Sequence, residues 1–253
     1  MDPTPTPPPR RLHPAWWALL AGGLVLLVAF LPVLWAMWQT PPAAGAPAAV
    51  SGTPWDIERR AGPATRVFGL DLPGSTLADA RRSWGDGLSL ALMATRGQAP
   101  VLEAYVETVQ VGGVAGRLLF TADAAPQDLQ RWREAALKEE PVSADTRRIT
   151  LTAEHRGEAL RTPLLGIGFI PAAQLDAATL RQRFGEPAEL IRPEGQPLEH
   201  WLYPAQGLAI VLDTKGRELL QYVAPADFER RLRAPLVKAS AAPAAKPASG
   251  PPG

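Results

Sequence analysis

Two segments of the chain, RRSWGDGLSL at 81–90 and RQRFGEPAEL at 181–190, share the pattern of a helix that ends in glycine and runs into a strand. Two later pairs follow in the same order: LEAYV at 102–106 with LEHWL at 198–202, and APQDLQRW at 125–132 with APADFERR at 224–231. The three offsets are 100, 96 and 99 residues. This regularity predicts a tandem duplication, over about 69–137 and 168–236.

Each predicted copy begins with a short helix. Ser75 or Thr76 can cap the first helix and Asp176 the second, because a side-chain oxygen there accepts a hydrogen bond from a free backbone N–H. Gly85 and Gly185 can end the two helices, since glycine tolerates the left-handed conformation. The apolar residues fall on one face of each helix, at Leu77, Ala80 and Trp84 and at Ala177, Leu180 and Phe184.

The strands of each copy are predicted to follow one another directly. The second copy is the clearer one, with AELIR, LEHWLYP, GLAIVLD and RELLQYV, and with a turn at Lys215 and Gly216. Between the copies, a connecting hairpin is expected to turn around His155, Arg156 and Gly157. No helix alternates with strands inside a copy, so we predict an α+β fold with antiparallel sheets.

An apolar run, WWALLAGGLVLLVAFLPVLWAMW, occupies residues 16–38 and contains no charged residue. As a helix it would be about 34 Å long, enough to cross a hydrocarbon core of about 30 Å. Trp16 and Trp17 at one end and Trp35 and Trp38 at the other match the interfacial aromatic belts of membrane proteins. We therefore predict a single transmembrane helix in contact with the lipid bilayer.

The orientation of this helix follows from the neighbouring charges. Arg10 and Arg11 precede it, whereas no Lys or Arg follows until Arg59, so the N-terminus is expected in the cytoplasm. A cleaved signal peptide is the alternative, but its apolar region would be only about 7–15 residues long. Ala18 and Gly22 form a small-xxx-small pair, which is compatible with a homodimer.

The composition of the flanking segments completes the predicted organisation. The segments are a disordered cytoplasmic tail (1–15), the transmembrane helix (16–38), a Pro/Ala linker (39–54), the first repeat (55–137), the connecting hairpin (138–167), the second repeat (168–236) and a disordered tail (237–253).

The second copy, in LDAATLRQRFGEPAEL, HWLYP and GLAIVLDTKGREL, resembles the SmpA/OmlA (BamE-like) family of small periplasmic domains. The resemblance covers about fifty residues per copy and is strongest in 176–223. It implies a bacterial envelope protein that binds other proteins or a lipid surface and has no catalytic role. The chain departs from the family in having two copies, an inner-membrane anchor and no cysteine for lipidation.

The sequence contains no recognisable catalytic or cofactor motif. The absence of cysteine excludes thiolate sites, and the three histidines, His13, His155 and His200, are too far apart to suggest a ligand pair. No HExxH, GxSxG or phosphate-loop pattern occurs. From Trp55 to Arg233 there are 22 Lys plus Arg and 24 Asp plus Glu, which does not favour nucleic-acid binding. We expect no enzyme, cofactor or metal site.

Some polar residues recur in both copies and are candidates for equivalent interaction sites. They are Arg81 with Arg181, Glu103 with Glu199, Asp86 with Glu186 and Asp128 with Asp227. The structural interpretation is that they cap helices or form ion pairs. The aromatic residues Trp84, Trp132, Phe184 and Trp201 lie on apolar stripes, which favours a role in the core.

Taken together, the patterns predict a non-catalytic periplasmic protein, anchored by a single pass in the inner membrane of a Gram-negative bacterium, that binds or scaffolds envelope proteins. Addition of a partner strand to a sheet edge is the expected recognition mode. The alternative is a lipid- or small-ligand-binding domain, in which the two copies close over an apolar cavity.

Overall fold

A computed structural model describes residues 48–50, 52–60, 62, 64–193, 197–213 and 218–241. The predicted transmembrane helix and its tryptophans, the N-terminal tail and the turn at Lys215 and Gly216 lie outside these residues. Within the described ranges, no helix combines the length and the apolar character needed to cross a membrane.

The described chain is mainly β-structure. The strands are β1 (Ala48–Val50), β2 (Glu58–Arg59), β3 (Thr65–Val67), β4 (Leu70–Leu72), β5 (Leu88–Thr95), β6 (Val101–Val111), β7 (Val114–Ala122), β8 (Lys138–Pro141), β9 (Thr146–Thr150), β10 (Leu164–Pro171), β11 (Glu189–Ile191), β12 (Leu198–Tyr203), β13 (Leu208–Asp213) and β14 (Leu219–Val223).

Five α-helices accompany the strands: α1 (Leu77–Trp84), α2 (Pro126–Glu134), α3 (Ala153–Ala159), α4 (Ala177–Phe184) and α5 (Ala234–Ala241). Short 3-10 turns lie at Gly85–Gly87, Pro204–Gln206 and Pro225–Asp227, and a π-helical turn lies at Glu229–Arg233.

Eleven of the described strands form one large sheet, whose order is β11-β12-β13-β14-β10-β7-β6-β5-β9-β8, with β1 added beside β6. All the pairs are antiparallel except β1 with β6. The predicted α+β class with antiparallel strands is confirmed. The segments expected to form two repeats share this sheet, because β10 pairs with β7 on one side and with β14 on the other.

The predicted helices α1 and α4 form with the expected caps. Thr76 and Asp79 form a capping box at the start of α1, and Asp176 accepts a hydrogen bond from the backbone N–H of Thr179 at the start of α4. Gly85 and Gly185 end the two helices with positive φ angles of 61° and 80°. Each helix places its apolar face against the sheet, as the 3.6-residue spacing predicts.

The main core lies on one face of the sheet, the helix face, where side chains of α1, α2, α3 and α4 are buried. The small sheet β2-β3-β4 also covers this face. Phe68 packs there against Phe169 and Tyr222, with ring centroids 5.7 and 5.3 Å apart. The Tyr222 hydroxyl donates a 2.6 Å hydrogen bond to the Pro54 carbonyl, which ties the segment entering the domain to the core.

The opposite face of the sheet, the C-terminal face, carries a second apolar cluster. Phe228, Leu232 and Leu236, from the helical segment after β14, pack on this face. Phe228 is only 1% exposed, so this segment is an integral part of the domain.

Three sequence predictions about connecting segments are wrong. The expected hairpin turn at His155–Gly157 is helix α3, because Thr152 caps its N-terminus and His155 and Ala159 are buried one turn apart. The expected linker 39–54 includes β1, whose three residues pair with β6. The expected disordered tail from residue 237 begins inside α5, which continues to Ala241.

Candidate functional site

The large sheet has an unpaired stretch at the start of β5. Strand β6 pairs with β5 from Leu88 to Met93, but β9 pairs only with residues Leu92–Thr95. After Thr150, the chain leaves the sheet and enters α3. Within the described chain, no strand pairs with Leu88–Ala91 on the side of β9. Because backbone groups of alternate residues point to opposite sides of a strand, part of this edge is open for hydrogen bonding.

Both outer strands of the sheet carry features that discourage further pairing. Strand β8 has the sequence KEEP, and charged residues and proline at an edge oppose strand addition. Strand β11 has only three residues, and its Glu189 accepts hydrogen bonds of 2.5 and 3.2 Å from Arg233. The unpaired part of β5, with the sequence LSLA, carries neither charged residues nor proline.

A cavity of about 360 Å³ lies against this unpaired stretch. We call it the β5 groove. Its walls come from α1, the turn after α1, β5, β9 and α3, through the residues Arg81, Asp86, Leu88, Ser89, Leu90, Arg148, Thr150, Arg156 and Leu160. Three arginines and one aspartate give it a positive balance.

The three arginines of the groove differ in their partners. Arg81 lies 3.8 Å from Asp86, a long contact between exposed side chains. Arg148 lies over the Tyr105 ring, 4.8 Å from its centroid, and donates a hydrogen bond to the Tyr105 hydroxyl. Arg156 is exposed and has no side-chain partner within the described residues. At least one guanidinium is thus available to an anion.

Arg181 of α4, the counterpart of Arg81 in the sequence pattern, contacts a tryptophan of β12. Arg181 lies 4.4 Å from the centroid of the Trp201 ring and 3.3 Å from Glu186. The Trp201 indole donates to Glu199 at 3.0 Å, and Arg192 donates to the other oxygen of Glu199 at 2.7 Å. Glu199 and the Trp201 indole N–H therefore already have hydrogen-bond partners within the domain.

The structure separates the four predicted interaction residues. Arg81 lines the β5 groove, whereas Arg181 and Glu199 belong to the network around Trp201. Glu103 lies on the C-terminal face, directly opposite Thr121 of β7. The expected equivalence of Glu103 and Glu199 is wrong, because Glu199 and Trp201 lie on the helix face.

Sequence analysis missed Arg148 and Arg156 as site residues. Arg148 follows another arginine in an ordinary amphipathic strand, and Arg156 lies in the segment that was expected to turn. Neither position carries a motif. The two side chains line the same groove because β9 pairs only with Leu92–Thr95 of β5 and the chain then enters α3.

Two buried ionisable groups on the C-terminal face lack partners. Glu103 is 3% exposed and neither carboxyl oxygen has a hydrogen-bond partner, so burial raises its pKa well above the ordinary value. The hydroxyl of Thr121 opposite is also buried without a partner. His200 is 3% exposed, and burial lowers its pKa to about 4.

A second cleft, of about 420 Å³, lies between α2 and α3. Glu158 accepts hydrogen bonds there from Arg131 at 2.7 Å and from the Trp132 indole at 2.9 Å. These two donors lower the pKa of Glu158 to about 2. Because the carboxylate is already paired within the cleft, this network fastens the two helices together and is not free for a ligand.

No cluster of three or more His, Asp or Glu side chains that could hold a metal ion occurs among the residues described. Comparison of the chain with protein-family models, with curated proteins and with solved structures finds no match.

Proposed function

We propose that this protein is a non-catalytic periplasmic binding or scaffolding protein of cell-envelope assembly, anchored in the inner membrane, and that it receives partner proteins at the β5 groove. The observation that carries the proposal is the unpaired stretch Leu88–Ala91 beside a cavity of about 360 Å³. An extended segment of a partner can extend the sheet there, because main-chain hydrogen bonds to an open edge give affinity and the adjoining pockets give specificity.

The anchor places this groove in the periplasm. In this proposal the uncharged apolar run 16–38 crosses the inner membrane, with Trp16, Trp17, Trp35 and Trp38 at the two interfaces. Since Arg10 and Arg11 precede the helix, the described domain lies on the periplasmic side. Ala18 and Gly22 provide a surface for a homodimer.

The outer domain is a duplicated SmpA/OmlA (BamE-like) unit. In support, α1 and α4 both have capped N-termini and a positive-φ glycine at the end. In both, an arginine of the last turn reaches the acidic residue that follows this glycine: Arg81 to Asp86 at 3.8 Å and Arg181 to Glu186 at 3.3 Å. The two arginines differ in their surroundings, since Arg81 lines the β5 groove and Arg181 lies over the Trp201 ring.

Photo-crosslinking in intact cells tests the binding function. A photoreactive amino acid is placed at Ser89 or Arg156, which line the groove, and at Gln182, an exposed residue of α4, as the control. Recurrent protein adducts from both groove positions, at a frequency well above that from Gln182, are expected. Lipid adducts alone would favour the lipid- or small-ligand-binding alternative, and equal labelling at all three positions would contradict a site at the groove.

The orientation is tested independently by thiol labelling, because the natural chain has no cysteine. A single cysteine replacing Arg156 should react with a membrane-impermeant maleimide in cells whose outer membrane has been permeabilised. A cysteine replacing Thr4 should react only after the inner membrane is opened. Reaction of both before that step would contradict the proposed anchor.

A further inference from the structure

The charges and side chains around the β5 groove restrict the kind of segment that fits it, and this inference rests on the proposed function. The unpaired stretch Leu88–Ala91 is four residues long, so it can pair with only a short extended segment. Successive side chains of such a segment point to opposite faces of the sheet. The groove therefore presents two different surfaces to one added strand.

The first surface lies on the helix face. Leu88 and Leu90 point to this face, where they pack against the main core. Leu160, directly after α3, lines the same wall, together with the exposed guanidinium groups of Arg81 and Arg156. A side chain of the added strand on this face meets aliphatic surface with cations at its rim.

The second surface lies on the C-terminal face. Ser89 is opposite Tyr105 in the β5–β6 register, and Arg148 lies over the Tyr105 ring. A side chain of the added strand that points to this face meets the Arg148 guanidinium and the Ser89 hydroxyl. A carboxylate is the natural partner there, since arginine binds carboxylates through paired N–H donors.

The net positive charge of the groove disfavours the binding of a basic segment and favours the binding of an acidic one. Asp86 is the single acidic residue of the lining, and its contact with Arg81 is 3.8 Å long. Arg156 has no carboxylate partner within the described chain. Arg148 contacts the Tyr105 ring and hydroxyl and lies opposite Glu140 of β8, whose carboxylate is paired with Lys138 at 2.7 Å. A bound carboxylate would thus gain cationic partners without displacing a strong ion pair.

We infer that the occupant of the β5 groove is an extended, acidic segment of a partner protein, which pairs with Leu88–Ala91 and places carboxylates near Arg156 and Arg148. The arginines select the acidic side chains, and the open backbone edge selects the extended conformation. A lipid headgroup or free phosphate could satisfy the arginines but would leave the backbone edge unpaired.

The test uses the full-length protein in detergent micelles and three labelled peptides of one length. The first alternates glutamate with valine, the second has glutamine in place of glutamate, and the third has lysine. Fluorescence anisotropy at low salt should show the glutamate peptide binding about tenfold or more tightly than the glutamine peptide. The difference should shrink as salt is raised, because the contacts are partly exposed.

Charge reversal provides a sharper comparison. Arg156→Glu should weaken binding of the glutamate peptide by about tenfold and improve binding of the lysine peptide. Arg96→Glu is the matched control, since Arg96 follows β5 at its other end and is exposed outside the groove. Equal effects of the two variants would overturn the inference.

Amide hydrogen exchange separates this inference from the proposed function. Bound glutamate peptide should protect amides within Leu88–Ala91. If the glutamine peptide binds equally well and gives the same protection, the acidic specificity is wrong but strand addition remains. If no peptide binds and the cellular crosslinks are also absent, both proposals fail. Displacement of the glutamate peptide by inorganic phosphate or anionic vesicles, without any amide protection, would identify a general anion site and overturn the inference.

Discussion

The guanidinium of Arg181 lies over the ring of Trp201, at 4.4 Å from its centroid. Trp201 in turn faces Leu190 across β11 and β12. In the first half of the sheet, the smaller pair Leu90 and Ala104 face each other, and Arg81 lines the β5 groove.

This difference predicts unequal effects of two matched substitutions. Arg181→Ala should lower the free energy of unfolding by about 1 kcal/mol, because it removes the contact with Trp201. Arg81→Ala should cost less, about 0–0.5 kcal/mol, since it removes only a long, exposed ion pair. Urea denaturation of the full-length variants, followed by tryptophan fluorescence, measures both. An equal loss would contradict the stabilising role of the Arg181–Trp201 contact.

Because His200 is buried, we expect the free energy of unfolding to fall in mild acid. Its pKa is about 4 in the folded protein and 6.5 ordinarily. Between these pH values the unfolded chain binds a proton that the folded chain does not, so stability falls as the pH drops from 6.5 to about 4. The full loss corresponds to roughly 3 kcal/mol.

The substitution His200→Gln should make this part of the stability curve flatter, because glutamine does not titrate. Denaturation midpoints at several pH values between 4 and 8 provide the measurement. A variant with the same slope as the natural protein below pH 6.5 would show that another group is responsible.

Because Glu103 is buried, we expect its contribution to the free energy of unfolding to depend on pH in the opposite direction. Burial raises its folded-state pKa above the ordinary value of 4.5, so the unfolded chain releases a proton that the folded chain retains. The stability associated with protonated Glu103 is complete below pH 4.5 and is lost as the pH rises through the folded-state pKa. Glu103→Met should therefore raise the free energy of unfolding at pH 8, by about 1–3 kcal/mol, since it removes an unpaired buried carboxyl.

The neighbouring Thr121→Val should also stabilise the protein, because the Thr121 hydroxyl is buried without a partner. Glu107→Gln is the control: Glu107 lies 3.5 Å from Arg117, and its removal should give no gain. If Glu103→Met is destabilising at pH 8, the buried carboxyl must have a favourable partner in the folded state.

Gly185 and Gly207 allow backbone strain to be separated from steric clash. Gly207 has a φ of +67°, and a Cβ there would lie 2.1 Å from the Val223 carbonyl oxygen. Gly185 has a φ of +80°, but a Cβ there would contact nothing within 4 Å. Gly185→Ala should cost about 1–3 kcal/mol through backbone strain alone, because its ψ of −172° lies in a region that is nearly exclusive to glycine. Gly207→Ala adds a steric clash and should cost more than about 3 kcal/mol. Thermal unfolding of the two variants should rank them in this order.

The elements with strong local signals could be predicted from the sequence. Thr76 and Asp176 at the N-caps and Gly85 and Gly185 at the helix ends mark α1 and α4 correctly, because these interactions involve neighbouring residues. The antiparallel class follows equally well from strands that succeed one another without intervening helices.

The alignment of LEAYV with LEHWL is wrong by one residue. It equates Glu103 with Glu199, although these residues lie on opposite faces of the sheet. A shift of one residue instead equates Glu103 with His200, and both of these are buried on the C-terminal face. A shift of one residue reverses the face of every side chain in a strand, and short amphipathic patterns rarely distinguish the two registers.

The groove itself could not be predicted, because it depends on where a distant strand stops. Arg148 and Arg156 reach β5 only because β9 pairs with Leu92–Thr95 and then gives way to α3. The alternating pattern around Arg156 predicts a turn, whereas the Thr152 side chain caps a helix there.

The position of β10 in the chain determines when the edge of β7 can become paired. It spans the junction between the connecting segment and the segment expected to form the second repeat, and it pairs with β7 on one side and β14 on the other. When the chain emerges with its N-terminal part first, the edge of β7 stays unpaired until Leu164–Pro171 has also emerged. The second half then extends a sheet that already exists. Strand β10 thus sets the moment at which the edge of β7 can be closed, and a delay before residue 164 would prolong exposure of that edge to chaperones and to other unfolded chains.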